Sequence, residues 1–373
     1  MKEIILESSI VQDDYTAIVE KMFDVPILDK SVVVIKNNIK LPEKWNIGLI
    51  YGASGAGKST LLKEFGEIKS HKWDNKKSMI SNFTNVTPEQ ASEVLCSVGF
   101  GTVPSWIRPY SALSNGEKFR ADLARSLTSK DDLILIDEFT SVVDRNVAKS
   151  ASNSVQKYIR KYNKKIVLAS CHSDIVEWLN PCWTYNPVEG IVKTISSERL
   201  LWRPKIELEI FRVHRKAWEL FKNYHYLSAD LNKTAKCFVA TWNDIPVAFC
   251  GILNFCHPVI KAAYRESRTV VLGDYQGLSI GVKLSDFIGS IVTANTNKNG
   301  IPYKFYTKTR HPAMVAYKLK HTDLYRQTSH SGEARNPAEK SMKSRGWDTT
   351  EKKCWCFEYI GPKASETDAK LFL

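Results

Sequence analysis

Residues 45–60 read WNIGLIYGASGAGKST, and this stretch decides the fold of the amino-terminal part of the chain. A short apolar run, 45–51, leads into a loop that starts at Gly52, and an amphipathic segment, LLKEFG (61–66), follows the loop. The pattern predicts a buried strand, a glycine loop and a helix. Because glycine has no Cβ, such a loop can close its backbone N–H groups around phosphate oxygens. The stretch therefore predicts a phosphate-binding α/β domain.

The loop fits the pattern G-x-x-x-x-G-K-[ST], in which the lysine reaches the β and γ phosphates of a nucleotide and the last residue binds Mg²⁺. Lys58 and Ser59 stand at these two positions. An ordinary glycine turn is the alternative interpretation, but it leaves Lys58 without a role. The predicted nucleotide-binding set in the loop is Gly52, Ser54, Gly55, Gly57, Lys58, Ser59 and Thr60.

Two acidic residues follow a second buried strand in the segment DDLILIDEF (131–139). The apolar run 133–136 is typical of a buried parallel strand, and open α/β sheets bind ligands at the carboxyl ends of such strands. Asp137 is expected to hold Mg²⁺ with Ser59, and Glu138 to orient and deprotonate the attacking water. A helix cap is the alternative role for such a pair, and the upstream glycine loop argues against it.

The segment LSNGEKFRADLARSL (113–127) resembles the signature sequence of ABC ATPases, usually written LSGGQ, with Asn115 and Glu117 as departures. The resemblance implies that Ser114 and Gly116 contact the γ-phosphate bound by a second subunit. It therefore implies a homodimer joined through two ATP sites. The alternative role of this stretch is a helix with one apolar face.

Two further segments match the same family in the expected order. SVVD (141–144) matches the position of the D-loop, with Asp144 at the subunit boundary, and KKIVLASCHSD (164–174) places His172 where the family has its switch histidine. A single histidine would otherwise be structural. The ABC resemblance covers about residues 30–175.

Departures from the ABC pattern argue against a transporter subunit. Only 56 positions separate Lys58 from Ser114, which leaves room for a small helical subdomain. No Q-loop glutamine stands out, and Gln90 is the nearest candidate. We find no apolar run of the ~20 residues that a membrane-spanning helix needs and no secretory signal, so we expect a cytoplasmic protein without a membrane partner.

Length and charge predict a second domain with a different partner. At 373 residues the chain exceeds the usual size of a single core, and we expect an ABC domain over 1–200 and another domain over 201–373. Residues 201–373 hold 27 Lys and Arg against 16 Asp and Glu, a net charge of +11, whereas residues 1–200 hold 26 against 24. The asymmetry indicates a polyanion partner, although a solvated surface or a small phosphorylated cofactor is an alternative.

The second half alternates strand and helix patterns. The predictions are a helix over 208–227, a β-hairpin over 237–255 turning at Asn243 and Asp244, a strand, glycine loop and helix over 267–292, a strand over 300–310 and a helix over 311–320. Such a mixture predicts an α+β domain with a mixed sheet.

The glycine loop of this half, 276–281, resembles the Q/R-x-x-G-x-G/A motif of GNAT N-acetyltransferases. The resemblance implies that Gln276, Gly277, Ser279 and Gly281 bind the pyrophosphate of acetyl-CoA, and that the backbone at Val271 pairs with its pantetheine arm. Ser279 departs from the glycine that is frequent at its position. A plain strand–helix turn is the alternative.

Three more residues are implied by resemblance to GNAT-like proteins. Tyr317 falls where the family commonly keeps a tyrosine that protonates the departing CoA thiolate, and a core aromatic is its alternative role. His225 and Tyr226, in NYHYL (223–227), resemble a His-Tyr element of Mom-like phage proteins that modify adenine in DNA. Aromatic packing at a helix end is equally consistent with that short cluster.

As a whole the chain resembles ABC-type ATPases fused to a GNAT-like domain, found in prokaryotes and their viruses. The resemblance implies an ATP-dependent acetyltransferase-like enzyme that modifies nucleic acid, with ATP, Mg²⁺ and acetyl-CoA as ligands, in the cytoplasm of a cell or of a viral host. Two alternatives stay open. One is an ATP-regulated acetyltransferase for proteins or small amines, and the other is a non-catalytic, ATP-switched clamp on nucleic acid.

Overall fold

The computed structural model of the chain describes residues 2–195, 205–225, 230–329, 331–332, 334–335 and 352–373. The helices are α1 (Asp14–Phe23), α2 (Lys58–Lys63), α3 (Pro88–Ser97), α4 (Val103–Trp106), α5 (Asn115–Leu127), α6 (Arg145–Lys161), α7 (Ile175–Leu179), α8 (Ile280–Thr293), α9 (Pro312–Lys320) and α10 (Glu366–Ala369). The strands are β1 (Lys2–Ser9), β2 (Lys30–Asn37), β3 (Ile47–Tyr51), β4 (Leu133–Ile136), β5 (Lys165–Ser170), β6 (Trp183–Asn186), β7 (Ile191–Thr194), β8 (Glu209–Val213), β9 (Lys236–Trp242), β10 (Ile245–Asn254), β11 (Ala263–Val271), β12 (Lys304–Thr309), β13 (Tyr325–Gln327), β14 (Ala334–Arg335), β15 (Lys352–Lys353) and β16 (Trp355–Tyr359).

The chain forms two compact units. The first comprises Met1–His71, Ser129–Val143 and Val155–Arg203, and the second comprises Lys72–Thr128, Asp144–Ser154 and Pro204–Leu373. The first unit ends close to the boundary expected near residue 200. The second unit, however, also takes in the helical segment with the signature sequence and the first part of α6. The division into an ABC domain and a GNAT-like domain therefore stays a prediction.

The first unit is built on a five-stranded sheet in the order β4-β5-β3-β6-β7. The first four of these strands are parallel, and β7 runs antiparallel to β6. Strand β3 is buried over four of its five residues, as its apolar sequence predicts. Gly48 leaves the space that the ring of Trp183 occupies, and a Cβ there would lie 2.1 Å from it. The predicted α/β fold with a parallel sheet is confirmed.

The second unit contains a seven-stranded mixed sheet in the order β8-β9-β10-β11-β12-β16-β13. The predicted hairpin is present, and Asn243 and Asp244 have φ values of 51° and 62°, which suit a two-residue hairpin turn. Helix α8 packs on one face of this sheet over a core that includes Phe238, Phe305 and Phe357.

Two strands of this sheet separate after a short parallel contact. β11 pairs with β12 at three positions only, from Ala263↔Lys304 to Arg265↔Tyr306. An additional residue, Ser267, then bulges out of the pairing with β10, and β11 continues beside β10 as far as Val271. A bulge bends its strand and increases the local twist. Beyond Arg265 and Tyr306, β11 and β12 no longer pair, and we call this place the notch.

The helix predicted over 208–227 is wrong. Residues Glu209–Val213 form the edge strand β8, which pairs antiparallel with β9, and 3₁₀ turns follow at Arg215–Leu220 and Lys222–Tyr224. Trp218 and Phe221 are buried against Phe249 of the sheet. Pairing with β9 supplies backbone hydrogen bonds that the local sequence pattern does not reveal, and it overrides the helical spacing of the apolar residues.

Among the described residues, no helix combines the length and the apolar character that crossing a membrane requires.

Candidate functional site

The predicted nucleotide-binding loop lies at the carboxyl edge of the sheet in the first unit. Tyr51, the last residue of β3, is paired with Ser170, the last residue of β5. The N–H of Gly52 donates to the carbonyl of Ser170 over 3.3 Å, and the N–H of Phe139, after β4, donates to Ala169 over 2.8 Å. The segments that follow β3, β4 and β5 therefore meet at one edge. The structure brings the loop, the acidic pair and His172 together there.

The glycines of the loop adopt conformations that other residues rarely adopt. Gly55 and Gly57 have φ values of 79° and 84°. The ammonium group of Lys58 donates to the carbonyl of Ala53 across the loop over 2.7 Å, and Ser54 and Ser59 are exposed. The loop is thus a curved, accessible backbone with its lysine folded over it. This arrangement fits a nucleotide phosphate group.

Gly57 provides a test of the loop geometry. A Cβ at Gly57 would lie 2.5 Å from Cδ1 of Ile35, whereas a Cβ at Gly55 would have open space. Both positions have positive φ, which costs a non-glycine residue about 1–3 kcal/mol. We therefore expect Gly57→Ala to weaken binding of a fluorescent ATP analogue more strongly than Gly55→Ala, the matched control. Adding Ile35→Ala to Gly57→Ala should recover part of the loss. Equal affinities for the two single variants would contradict this account.

The acidic pair follows β4 directly. The N–H of Glu138 donates to Oδ1 of Asp137 over 2.9 Å, and Glu138 itself has φ 49° and an exposed side chain. This turn directs Glu138 to the surface at the edge of the sheet. His172 is half-buried two residues beyond β5, and its N–H donates to Oγ of Ser170 over 3.2 Å. The side chains of Asp137 and Ser59 fit the oxygen ligands that Mg²⁺ prefers.

The signature sequence begins helix α5 in the second unit. Ser114 caps the helix and is exposed, and its hydroxyl accepts from the N–H of Glu117 over 3.3 Å. The Glu117 carboxylate accepts from the N–H of Ser114 over 3.0 Å and from the hydroxyl of Ser105 over 2.6 Å. Glu117, a departure from the family sequence, thus completes a capping box, for which glutamate and glutamine are equally suited.

Two other ABC positions act as helix caps. Oδ1 of Asp144 accepts from the N–H groups of Asn146 and Val147 at the start of α6, over 2.7 and 3.1 Å. The side chain of Gln90 accepts from the N–H of Thr87 over 3.0 Å in the capping box of α3. A sensing role for Gln90 would require that bond to break. The roles of all these residues stay predictions.

The predicted acetyl-CoA loop contacts the helical segment of the same unit. Oε1 of Gln276 accepts from the N–H of Gly101 over 2.6 Å, and its Nε2 donates to the hydroxyl of Thr102 over 3.0 Å and to the carbonyl of Val271 over 2.9 Å. The hydroxyl of Ser150, on α6, donates to the carbonyl of Gln276. Both ends of the Gln276 amide and its carbonyl are therefore hydrogen-bonded within the protein.

Glycines on both sides allow the two backbones to approach. A Cβ on Gly99 would lie 2.9 Å from the carbonyl oxygen of Gln276, and a Cβ on Gly277 would lie 3.0 Å from Cα of Gly99. Both residues have positive φ, at 80° and 83°. Substitution at either position would separate the surfaces. The contact is thus built into the backbone as well as into the Gln276 side chain.

An ion pair extends this contact to the signature helix. Arg120 of α5 is almost fully buried, and one of its guanidinium nitrogens lies 3.9 Å from Oδ1 of Asp274. A Cβ on Gly116 would lie 3.8 Å from the same carboxylate oxygen. Burial raises the pKa of Asp274 and Arg120 opposes the shift, while Asp144 and Glu117 add to it. Asp274 therefore lies within the electrostatic reach of the signature and D-loop positions.

His311 makes the same contact sensitive to pH. It caps α9, its Nε2 lies 3.3 Å from the carbonyl of Gly101 and 3.9 Å from Sγ of Cys96, and burial lowers its pKa from the usual 6.5. A base whose pKa is lowered by folding stabilises the fold above its unfolded pKa, and this stability is lost as the pH falls below that value. We expect the melting temperature to fall on acidification below pH 6.5, and His311→Gln to flatten this slope. His321→Gln, at a more exposed histidine, should leave the slope unchanged.

Helix α8 begins after a residue in a left-handed conformation. Ser279 caps it with φ 65° and without a side-chain hydrogen bond, which explains why glycine suits that position. A Cβ on Gly281 would lie 3.0 Å from the side chain of Val271, so the helix packs closely on the end of β11. The loop residues therefore adopt a strand–turn–helix geometry.

A buried polar cluster lies in the notch. The ammonium group of Lys318, which is fully buried, donates to Ser285 over 3.0 Å and to Thr307 over 2.9 Å, and it lies 3.5 Å from the carboxylate of Glu266. Burial lowers the pKa of Lys318 and Glu266 opposes the shift. These residues come from α9, α8, β12 and β11. Lys318 thus connects the two strands that separate.

The hydroxyl group of Tyr317 is already hydrogen-bonded to other side chains. Its hydroxyl donates to Oδ2 of Asp286 over 2.6 Å, and Lys283 donates to the same hydroxyl over 3.3 Å. Burial raises the pKa of Tyr317, and Asp286 raises it further. A phenol with a raised pKa is a weaker acid, so protonation of a thiolate by Tyr317 would require the bond to Asp286 to break. Its role as a general acid stays a prediction.

Only one of the two residues of the predicted His-Tyr element lies among the described residues. His225 is 8% exposed, and its ring lies 5.8 Å from that of Trp218 in an edge-to-face arrangement. Its environment is that of a packed core side chain. Tyr226, the second residue of the predicted His-Tyr element, lies outside the described residues.

Six residues that form these contacts were not predicted from the sequence. They are Gly99, Gly101, Ser150, Asp274, Asp286 and Lys318. The only local signal was the pair of glycines in SVGFGT (97–102), of which Gly99 is also the residue that commonly ends a helix.

Part of the chain is similar to ABC ATP-binding proteins. No protein-family model matches the chain. It is 31% identical over 136 residues to an uncharacterized ABC transporter ATP-binding protein of Haemophilus influenzae, covering 28% of this chain and 55% of that protein. It is 26% identical over 192 residues to the methionine import ATP-binding protein MetN 2 of Bacillus cereus, covering 40% and 56%. It is 30% identical over 121 residues to the mRNA export factor elf1 of Schizosaccharomyces pombe, covering 26% and 11%.

Solved structures with a similar fold are ABC cassettes. A bacterial ABC transporter cassette, MJ0796, solved as a dimer, has a TM-score of 0.34 and 15% identity, with 42% of this chain and 88% of that chain covered. For cbiO1 from Clostridium perfringens, part of the transporter complex cbiONQ, the TM-score is 0.33 and the identity 18%, with 44% and 80% covered. The chain spans between 11% and 56% of the length of the three curated relatives.

This chain contains the glycine loop, the acidic pair after β4, the histidine after β5 and the signature helix. Part of it is similar to ABC ATP-binding proteins. These features and the partial similarity support an ABC ATPase-like nucleotide-binding function.

Proposed function

We propose that this protein is an ATP-dependent acyltransferase-like enzyme that acts on nucleic acid, and that ATP-driven pairing of two copies controls the transferase part. The observation that carries the proposal is the contact of Gln276 with Gly101, Thr102 and Ser150. Through this contact, the predicted acetyl-CoA loop is held by the segment that carries the signature sequence.

The nucleotide part of the proposal assigns a role to each residue at the sheet edge. Lys58 and the loop amides bind the phosphates, Ser59 and Asp137 hold Mg²⁺, and Glu138 orients the attacking water. Ser114 of a second copy completes the site. The exposed position of Ser114 at the start of α5 supports this role, because a buried serine could not reach another subunit.

The transferase part is supported by the notch and by the start of α8. Beyond residue 265, β11 no longer pairs with β12, which leaves one edge of its backbone for the amides of a pantetheine arm. The left-handed Ser279 and the close approach of Gly281 to Val271 place helix amides beside that edge. An acceptor amine would attack the thioester carbonyl, strand N–H groups would stabilise the oxyanion, and the C–S bond would break as the amine proton passes to the departing thiolate.

Contacts of Asp274 and Arg120 support control of the transferase part by the nucleotide part. Closure of a nucleotide between two copies would change the charge next to Gly116, and Asp274 lies against both Gly116 and Arg120. Because coupling between two sites is reciprocal, acetyl-CoA should in turn affect ATP binding.

The test is thermodynamic and chemical. We expect the Glu138→Gln protein loaded with ATP to bind acetyl-CoA with an affinity that differs at least fivefold from the ATP-free protein, and Gln276→Ala to abolish the difference while ATP still binds. Mass spectrometry of nucleosides from cells that express the wild type or Glu138→Gln should show an acylated base only with the former. No heat of acetyl-CoA binding in either state would overturn the transferase part.

A non-catalytic, ATP-switched clamp on nucleic acid is the second candidate, and specific contacts favour it. The hydroxyl group of Tyr317 is bonded to Asp286, and the ammonium group of Lys318 is buried against Ser285, Thr307 and Glu266. If ATP protects the protein against thermal unfolding and acetyl-CoA does not, the clamp hypothesis replaces the transferase hypothesis.

A further inference from the structure

One face of the mixed sheet carries exposed cations around aromatic rings. In β12, Phe305 and Thr307 are 0% and 2% exposed and point to the core beneath α8. Because side chains alternate along a strand, Lys304, Tyr306 and Lys308 lie on the opposite face. The three consecutive outward positions of β12 are thus lysine, tyrosine and lysine.

The neighbouring strands extend this face into a row. The register places Arg265 of β11 beside Tyr306, Tyr306 beside Glu358 of β16, and Glu358 beside Arg326 of β13. With strands about 4.8 Å apart, the row from Arg265 to Arg326 spans about 14 Å. The face therefore presents four strands in a fixed order, with arginine at both ends. We call Arg265, Lys304, Tyr306, Lys308, Arg326 and Glu358 the basic row.

The charge of the basic row is mostly uncompensated. Glu358, whose side chain is 12% exposed, forms ion pairs with Arg326 at 2.7 Å and with Lys304 at 3.4 Å. The side chains of these two cations are still 62% and 52% exposed. Arg265 and Lys308 are exposed, and within the described ranges neither forms a salt bridge. Four cations against one carboxylate give a local charge of +3.

An aromatic platform lies at the centre of the basic row. The ring of Tyr306 lies 5.4 Å from that of Phe255, which in turn lies 5.6 Å from the imidazole of His257. The guanidinium of Arg265 lies 5.9 Å from the centre of the Phe255 ring. Phe255 and Tyr306 are partly exposed, and His257 is exposed.

We propose that the basic row and its aromatic platform bind a single-stranded segment of nucleic acid, with a base stacked on Tyr306 and Phe255 and neighbouring phosphates held by Arg265, Lys304, Lys308 and Arg326. The proposal rests on the proposed function for its acceptor class and locates the surface that this function requires. A row of cations flanking exposed rings is the combination that single-stranded nucleic acid uses, because every base has a π-face and every linkage has a charge.

Other polyanions match this surface less well. A duplex offers phosphates but keeps its bases stacked, so it would use the cations and leave Tyr306 and Phe255 without a partner. An acidic peptide likewise provides no ring for the platform. The same reasoning distinguishes a stacked base from simple phosphate attraction, because only the former depends on the rings.

The first test reverses two charges of the basic row. Binding of the full-length protein to a labelled oligothymidine and to a duplex of equal length would be measured by fluorescence anisotropy at several salt concentrations. We expect the double variant Arg265→Glu/Lys308→Glu to lose at least tenfold in affinity and to lower the salt slope by about 1–2. Lys320→Glu reverses one charge at an exposed lysine outside the basic row, at the end of α9, and should have less than a twofold effect.

The second test removes the ring. Tyr306→Leu should weaken oligothymidine binding by about five- to a hundredfold with little change in the salt slope, and Tyr306→Phe should bind like the wild type. Melting temperatures would establish that the variants are folded. Equal affinity of the wild type for duplex and single strand, or wild-type binding by Arg265→Glu/Lys308→Glu, overturns the proposal.

Failure of this proposal is distinguishable from failure of the proposed function. If the variants lose binding but no acylated base is found, the surface stands and the transferase does not. If an acylated base forms equally well in the variants, the proposed function stands and the nucleic acid binds elsewhere.

Discussion

Glu138→Gln is expected to lower the rate of ATP hydrolysis by about 10²–10⁴-fold and to leave ATP binding intact. The exposed carboxylate at the end of β4 is the group that would accept a proton from the attacking water, and glutamine has the same size without that basicity. With hydrolysis blocked, the ATP-bound pair of subunits should accumulate. The release of phosphate and the mass in solution by sedimentation would measure both effects.

Glu43→Gln is the matched control for this prediction, because Glu43 is an exposed glutamate of the same unit that lies outside the predicted motifs. It should hydrolyse ATP at the wild-type rate. Hydrolysis by Glu138→Gln at that rate would remove Glu138 from the mechanism. If Glu138→Gln binds ATP and stays a monomer, the predicted ATP-dependent dimer is wrong instead.

Lys318→Met should produce the largest loss of stability in the second unit. The substitution leaves the carboxylate of Glu266, whose side chain is 9% exposed, without its cation, and removes donors to Ser285 and Thr307. Breaking a buried ion pair from one side typically costs about 3–5 kcal/mol, because the remaining charge is buried and unpaired. Urea denaturation should show this difference in the free energy of unfolding.

Two further variants separate the charge effect from simple loss of packing. Lys318→Met/Glu266→Gln removes both charges and should recover most of the lost stability, since the uncompensated carboxylate is gone. Lys320→Met, two residues along the same helix and exposed, should change stability by less than about 0.5 kcal/mol. If the double variant is no more stable than Lys318→Met, the pair does not account for the effect.

Local patterns predicted much of both units. The strand, glycine loop and helix at 45–66, the buried strand before Asp137 and the hairpin turn at Asn243 all occur where the sequence indicated. Each is a short-range property, since it depends on alternation, helical spacing or positive φ within a few residues. The helix predicted over 208–227 was wrong for the complementary reason. Its first residues pair with β9, and Trp218 and Phe221 pack against Phe249, and both of these partners lie outside the segment.

The partners of the predicted loop in the second unit could not be read from the sequence. Gln276 was predicted as a cofactor residue from its motif, and the structure shows its amide hydrogen-bonded to Gly101 and Thr102, 175 and 174 residues away. Tyr317 was predicted from its place on α9, but Asp286, which holds its hydroxyl, lies on another helix. No period or spacing in one segment specifies which distant segment packs against it.

By itself, the sequence determined the glycine loop after a buried strand and the places of the acidic pair and the histidine after two further strands, because glycine conformations and strand ends are properties of consecutive residues. Only the tertiary structure decided that the signature segment packs with the carboxyl-terminal sheet, that Lys318 is buried between separating strands, and that the cations of the basic row share one face. The physical reason is that burial and pairing depend on contacts between residues far apart in the chain, where side-chain volume and charge must match in three dimensions.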